Sequence, residues 1–96
     1  GGLLNRYRIF ETEEFLRGLN RLDERSRRLV EAKARKYAYP QLREQPFFGV
    51  NIKKLRGYTP NTWRYRIGDY RLFYTIREEE KMIAMLTVDH RKDAYK

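Results

Sequence analysis

Cysteine is absent from the 96 residues, and histidine occurs once. Disulfides, thiolate metal sites and His-cluster metal centres are thereby excluded, and the composition suits a reducing cytoplasm. No apolar run approaches the roughly 20 residues of a membrane span, and no secretory leader is evident. Proline and glycine are few, at three and six residues, and neither repeats nor low-complexity segments occur. The opening Gly1-Gly2, without methionine, reads as an appended remnant. Acidic charge is also scarce. Thirteen acidic residues face 22 basic ones, a net charge of +9. That excess favours anionic partners, whether nucleic acid, an acidic protein or a membrane surface. The length sets one domain with a modest core and little room for a deep small-molecule cleft.

Aromatic residues are plentiful: eight tyrosines, five phenylalanines and one tryptophan. Together with the basic excess they lean toward nucleic acid, since a tyrosine ring stacks on bases and its hydroxyl reaches phosphate. The densest stretch is Trp63 to Tyr74, WRYRIGDYRLFY. Strand side chains alternate between faces, so Arg64 and Arg66 share one face while Trp63, Tyr65 and Ile67 share the other. Arg71 returns on the next strand, after a Gly68-Asp69 turn.

Asn5 to Phe10 reads as a first strand with Tyr7 and Ile9 on one side. Thr12 caps a helix carrying Phe15, Leu16, Leu19 and Leu22, which Gly18 weakens slightly. Asp23 caps a second helix to about Tyr39, with Leu22, Leu29, Val30, Ala34, Tyr37 and Ala38 as its apolar stripe. The short Leu22-Asp23 connection makes the two helices an antiparallel hairpin. Pro40 is expected to stop the second helix. Gln41 to Phe48 is then a loop anchored by Phe47 and Phe48. Strands follow over Val50 to Leu55, Trp63 to Ile67, Tyr70 to Ile76 and Met82 to Val88, the last apolar on both faces and hence central. The Glu78 to Glu80 run reads as a turn. The order gives an α+β fold: a strand, a helical hairpin on one sheet face, then a three- to four-stranded, mainly antiparallel sheet.

Four motifs, KKLRG (Lys53 to Gly57), WRYRIG (Trp63 to Gly68), DYRLFY (Asp69 to Tyr74) and VDHRKDAY (Val88 to Tyr95), stand in this order. With the element order, they make almost the whole chain resemble a toxin of the RelE/ParE superfamily from type II toxin–antitoxin modules, nearer the RelE branch. The resemblance implies a ribosome-dependent endoribonuclease that cuts mRNA in the A site of the 70S ribosome without metal or small-molecule cofactor. It also implies a small acidic antitoxin as partner. Carried across by motif, the catalytic positions are Arg64, Arg66, Arg71, Arg91 and Tyr95, with His90 where many relatives also have histidine. Some RelE-type enzymes carry lysines where Arg64 and Arg66 stand here.

Metal-free RNA cleavage needs a base for the 2′-hydroxyl, cations on the non-bridging oxygens and an acid for the departing 5′-oxygen. Arginine forks supply the cations. They cannot supply the base, because a guanidinium does not lose its proton. That role falls to His90, the side chain whose ordinary pKa lies near neutrality, or to Tyr95, with Glu44 a distant third. Lys53, Lys54, Arg56, Arg28, Arg35 and Lys36 are candidates for contact with RNA or ribosome. Each reading has a plainer rival: a solvated basic face for the arginines, a structural histidine, and a tyrosine packed on the sheet. At the level of function the rivals are a ParE-like inhibitor of DNA gyrase and a non-catalytic nucleic-acid-binding module.

Overall fold

A computed structural model describes residues 6–90. The elements are β1 (Arg8–Glu11), α1 (Glu13–Arg21), α2 (Glu24–Lys33), a π-helical turn (Ala34–Ala38), α3 (Tyr39–Glu44), β2 (Ile52–Lys54), β3 (Trp63–Ile67), β4 (Tyr70–Arg77) and β5 (Met82–His90). The strands form one five-stranded sheet in the order β1-β5-β4-β3-β2. Only β1 runs parallel to its neighbour, β5; the remaining pairs are antiparallel. The α+β expectation holds, and β5 is an interior strand. β2 and β1 are shorter than the sequence suggested, at three and four residues.

Caps define the helical hairpin. The Thr12 hydroxyl accepts from the Phe15 amide at 3.1 Å and donates to the Met85 carbonyl at 2.7 Å, which ties the start of α1 to β5. The Asp23 carboxylate accepts from the Ser26 amide at 2.7 Å. Gly18 has a packing reason: a Cβ there would lie 3.0 Å from Val88 Cγ1 and 3.6 Å from the Val88 amide nitrogen. Its small size therefore sets how closely α1 approaches β5, at the expense of helix propensity.

Pro40 does not stop the second helix. Within the π turn the Tyr39 amide donates to the Ala34 carbonyl, five residues back. The widened turn resets the ladder, and Pro40 falls in the first turn of α3, where its missing N–H costs little. Gln41 to Glu44 is thus helical rather than loop. The helical stripe is also narrower than expected. Val30, Ala34 and Ala38 are buried, while Leu29 and Tyr37 face outward. Of the Phe47-Phe48 pair only Phe47 anchors, edge-on to Trp63 at 5.7 Å, whereas Phe48 is 75% exposed.

The core lies between the helices and one sheet face. Phe15, Leu19, Val30 and Leu42 meet Trp63, Tyr65, Leu72, Tyr74, Ile83 and Met85 there. Inside it the Tyr74 hydroxyl donates to the Pro46 carbonyl at 2.7 Å, and at its edge the Tyr39 hydroxyl donates to Glu11 Oε2 at 2.7 Å. Burial, reinforced at Tyr39 by the Glu11 carboxylate, pushes both phenols well above the ordinary 10.0. A raised folded-state pKa gives stability that is complete below the unfolded value and is lost as pH rises. Chemical denaturation at stepped pH is therefore expected to show stability falling above pH 10.0, by up to about 1.4 kcal/mol per pH unit for each phenol. Tyr74→Phe should lower stability at neutral pH by about 1–3 kcal/mol, because the Pro46 carbonyl loses its donor, and should flatten the alkaline slope. An unchanged slope would show that Tyr74 does not carry this dependence.

Candidate RNA-binding face

The sheet face away from the helices is open, and its chemistry follows from register. Lys53 pairs with Arg64 across β2 and β3, Arg66 with Arg71 across β3 and β4, and Arg71 with Asp89 across β4 and β5. Paired residues share a face, so four cations gather on this side. They line a cleft of about 260 Å³ together with Leu55, Gly68 and Asp69. A two-residue turn closes β3 onto β4, with Gly68 at φ +56°, a conformation that favours glycine.

Each arginine is steered by a local acceptor. Arg64 Nη1 donates to the Asn51 carbonyl at 2.8 Å, and Arg66 Nε to the Gly68 carbonyl at 3.1 Å. Arg71 Nη2 lies 3.8 Å from Asp89 Oδ2, with the guanidinium 5.4 Å from the Phe73 ring centre. Its Nε is buried and has no hydrogen-bond partner among the described residues. Desolvation first, then the Arg66 and Arg71 charges, lower the pKa of Arg64 from its ordinary value. Burial and the two neighbouring cations both disfavour the charged form, and an anion between them offsets that cost. The arrangement can grip phosphate oxygens and offset charge developing on them.

His90 lies elsewhere. It pairs with Tyr70, whose side chain faces the helices, and its ring meets Tyr70 edge-on at 4.8 Å. Tyr70 in turn donates to Ser26 Oγ on α2 at 2.7 Å. The cause is a β-bulge. Ile83 and Met85 are buried, but the register shifts between Phe73 and Tyr74, so that Leu86 is the extra residue and Val88 is the next buried one. Alternation is inverted beyond the bulge, which brings Asp89 to the arginines and His90 to the helix side.

The remaining candidates divide. Lys53 joins the cleft, whereas Lys54 pairs with Trp63, its ammonium 5.7 Å from that ring. Arg56 is exposed in the turn after β2. Arg28, Arg35 and Lys36 are on the helices, not in the cleft; Arg28 is engaged by Glu24 at 2.8 Å. Glu44 sits near Arg6 at 4.0 Å, also outside the cleft. Arg91 and Tyr95 lie outside the described residues. Asn51, Asp69, Phe73 and Asp89 shape the cleft without being among the candidates: Asn51 and Asp69 enter from turns, Phe73 and Asp89 through the strand register. No group of three or more His, Asp or Glu side chains with metal-binding geometry occurs among the described residues, and none of their helices is long and apolar enough to cross a membrane.

Binding of a short single-stranded RNA, followed by fluorescence anisotropy across a salt series, should separate the two surfaces. Arg64→Ala, Arg66→Ala and Arg71→Ala are each expected to weaken binding and to reduce the slope of log K against log salt by about 0.7 for each phosphate no longer neutralised. Arg28→Ala should leave the slope unchanged. The reverse pattern would put the RNA on the helices.

Residues 9–95 match the family model of the ParE toxin of the type II toxin–antitoxin system parDE. A search of curated proteins gives no match. Among solved structures, the RelBE2 toxin–antitoxin complex of Mycobacterium tuberculosis is similar at 30% identity and a TM-score of 0.70, over 90% of this chain and 92% of that one. The archaeal RelE–RelB complex of Pyrococcus horikoshii aligns at 24% identity and TM-score 0.61, over 90% of this chain and 96% of that one. A mutant of the E. coli toxin RelE in the free state aligns at 22% and 0.65, over 94% and 88% of the two chains. These last two speak for the fold alone. The chain belongs to the RelE/ParE superfamily of toxins from type II toxin–antitoxin systems, and its fold is that of the RelE-like structures.

Proposed function

We propose that this toxin is a ribosome-dependent endoribonuclease, an mRNA interferase that cuts translated mRNA in the A site of the 70S ribosome and so arrests translation in the cytoplasm. The observation that carries the reading is the gathering of Arg64, Arg66 and Arg71 in one open cleft, with Lys53 beside them. A binder of protein surfaces does not need this density of like charge at one point, whereas a phosphate in the transition state of cleavage does. In this reading the 2′-oxygen attacks the adjacent phosphorus while Arg64, Arg66 and Arg71 hold the non-bridging oxygens. Arg91 adds a further cation from the segment that follows β5. For the base, Tyr95 is favoured over His90, whose ring is engaged with Tyr70 on the helix side. No metal takes part in the proposed reaction. A small acidic antitoxin neutralises the toxin by covering its basic surface; that a partner of this kind exists is supported by the similarity to RelBE2, which is a toxin–antitoxin complex.

One observation favours a second reading. The matching family model is that of ParE, whose resemblance implies inhibition of DNA gyrase. Primer extension on an mRNA with and without translating ribosomes, run beside a gyrase supercoiling assay, separates the two. The expected outcome is discrete cuts that require ribosomes, with supercoiling unaffected; Arg71→Ala should reduce cutting on the order of 100-fold or more. Inhibited supercoiling with intact mRNA would replace this reading with the gyrase one.

A further inference from the structure

Cleavage requires a proton for the departing 5′-oxygen, and among the described residues the arginines of the cleft cannot give it. Guanidinium groups hold their protons too firmly to give one up. An ionised carboxylate such as that of Asp69 only accepts. His90 is turned to the helix side. Among the described residues lining the cleft, Lys53 combines a positive charge with a transferable proton.

The two adjacent lysines of β2 are not equivalent. Lys54 is directed over the Trp63 ring at 5.7 Å. Lys53 faces the other way, opposite Arg64, into the space bounded by Arg64, Arg66 and Arg71. The three guanidiniums each have an acceptor or carboxylate beside them, Asn51 O, Gly68 O and Asp89 respectively. Among the described residues no hydrogen bond or ion pair engages the Lys53 ammonium. It is exposed, on a flexible four-carbon stem, and free to follow a moving oxygen.

We infer that Lys53 is the general acid of the cleavage proposed above, on which this inference rests. The 2′-oxygen forms a bond to phosphorus as its own proton passes to the base. The bond from phosphorus to the 5′-oxygen breaks, and its electron pair takes a proton from Lys53 Nζ. The products are a 2′,3′-cyclic phosphate and a free 5′-hydroxyl, with Lys53 left as a neutral amine that regains its proton from water.

A sulfur leaving group provides the test, because a thiolate departs without protonation. The linkage cut by the wild-type toxin on programmed ribosomes is mapped first. That linkage is then rebuilt in a synthetic message with sulfur in place of the bridging 5′-oxygen, and single-turnover rates are compared. Lys53→Met is expected to slow cutting of the oxygen linkage by about 10²- to 10⁴-fold and to cut the sulfur linkage at close to the wild-type rate. Lys53→Arg, which keeps the charge, should bind programmed ribosomes as the wild type does, yet cut the oxygen linkage as slowly as Lys53→Met. Equal losses on both linkages, or full activity of Lys53→Arg, would overturn the assignment and leave Lys53 as a binding charge. Wild-type toxin that cuts no message at the mapping step would overturn the cleavage reading itself, and the role of Lys53 with it.

Discussion

Burial of one face of β3 and β4 fixes everything on the other. Trp63, Tyr65, Ile67, Leu72 and Tyr74 are packed under the helices. A slip of one residue in either strand would send these side chains to solvent and drive guanidiniums into the core, at a cost of many kcal/mol. The register is therefore tightly specified, and with it the meeting of Arg64, Arg66 and Arg71. The cleft needs no dedicated scaffold. It is the reverse side of the core, and its accuracy comes from aromatic packing such as the near-parallel Trp63 and Tyr74 rings, 6.3 Å apart.

Gathering cations in this way works against stability, and the structure limits the cost locally. Backbone carbonyls of Asn51 and Gly68 accept from Arg64 and Arg66, and Asp89 stands near Arg71. Asp89 owes that position to the bulge at Leu86, the same irregularity that turns His90 away. A single extra residue thus does two things: it supplies the carboxylate that balances Arg71 and removes the imidazole from the cleft. At Arg64 a cost remains, its charged form disfavoured by desolvation and by its two neighbours. An incoming phosphate offsets that cost.

The alternation W-R-Y-R-I makes the two-faced β3 legible in the sequence, as the caps at Thr12 and Asp23 do for the hairpin. These are local rules, and nothing in the tertiary structure opposes them. Pro40 misleads because the π turn before it re-registers the helix, and no residue type announces such a turn. His90 misleads for a related reason. Counted by twos from Ile83 and Met85 it falls on the arginine face, and only the pairing with β4 reveals the inserted residue. Lys53 and Lys54 look alike in the sequence; the partner strand separates them, one to the cleft and one to Trp63. Motif order identifies the family because it reflects the whole fold rather than any single side chain.

The central claim is that RNA lies on the open sheet face and not on the basic helices. Amide chemical shifts of the isotopically labelled protein, followed during titration with a short single-stranded RNA, test it directly. The account predicts perturbations concentrated at Lys53, Arg64, Arg66, Gly68, Arg71 and Asp89, with Arg28, Arg35 and Lys36 unmoved. Perturbations centred on the helices, with β3 and β4 silent, would contradict it.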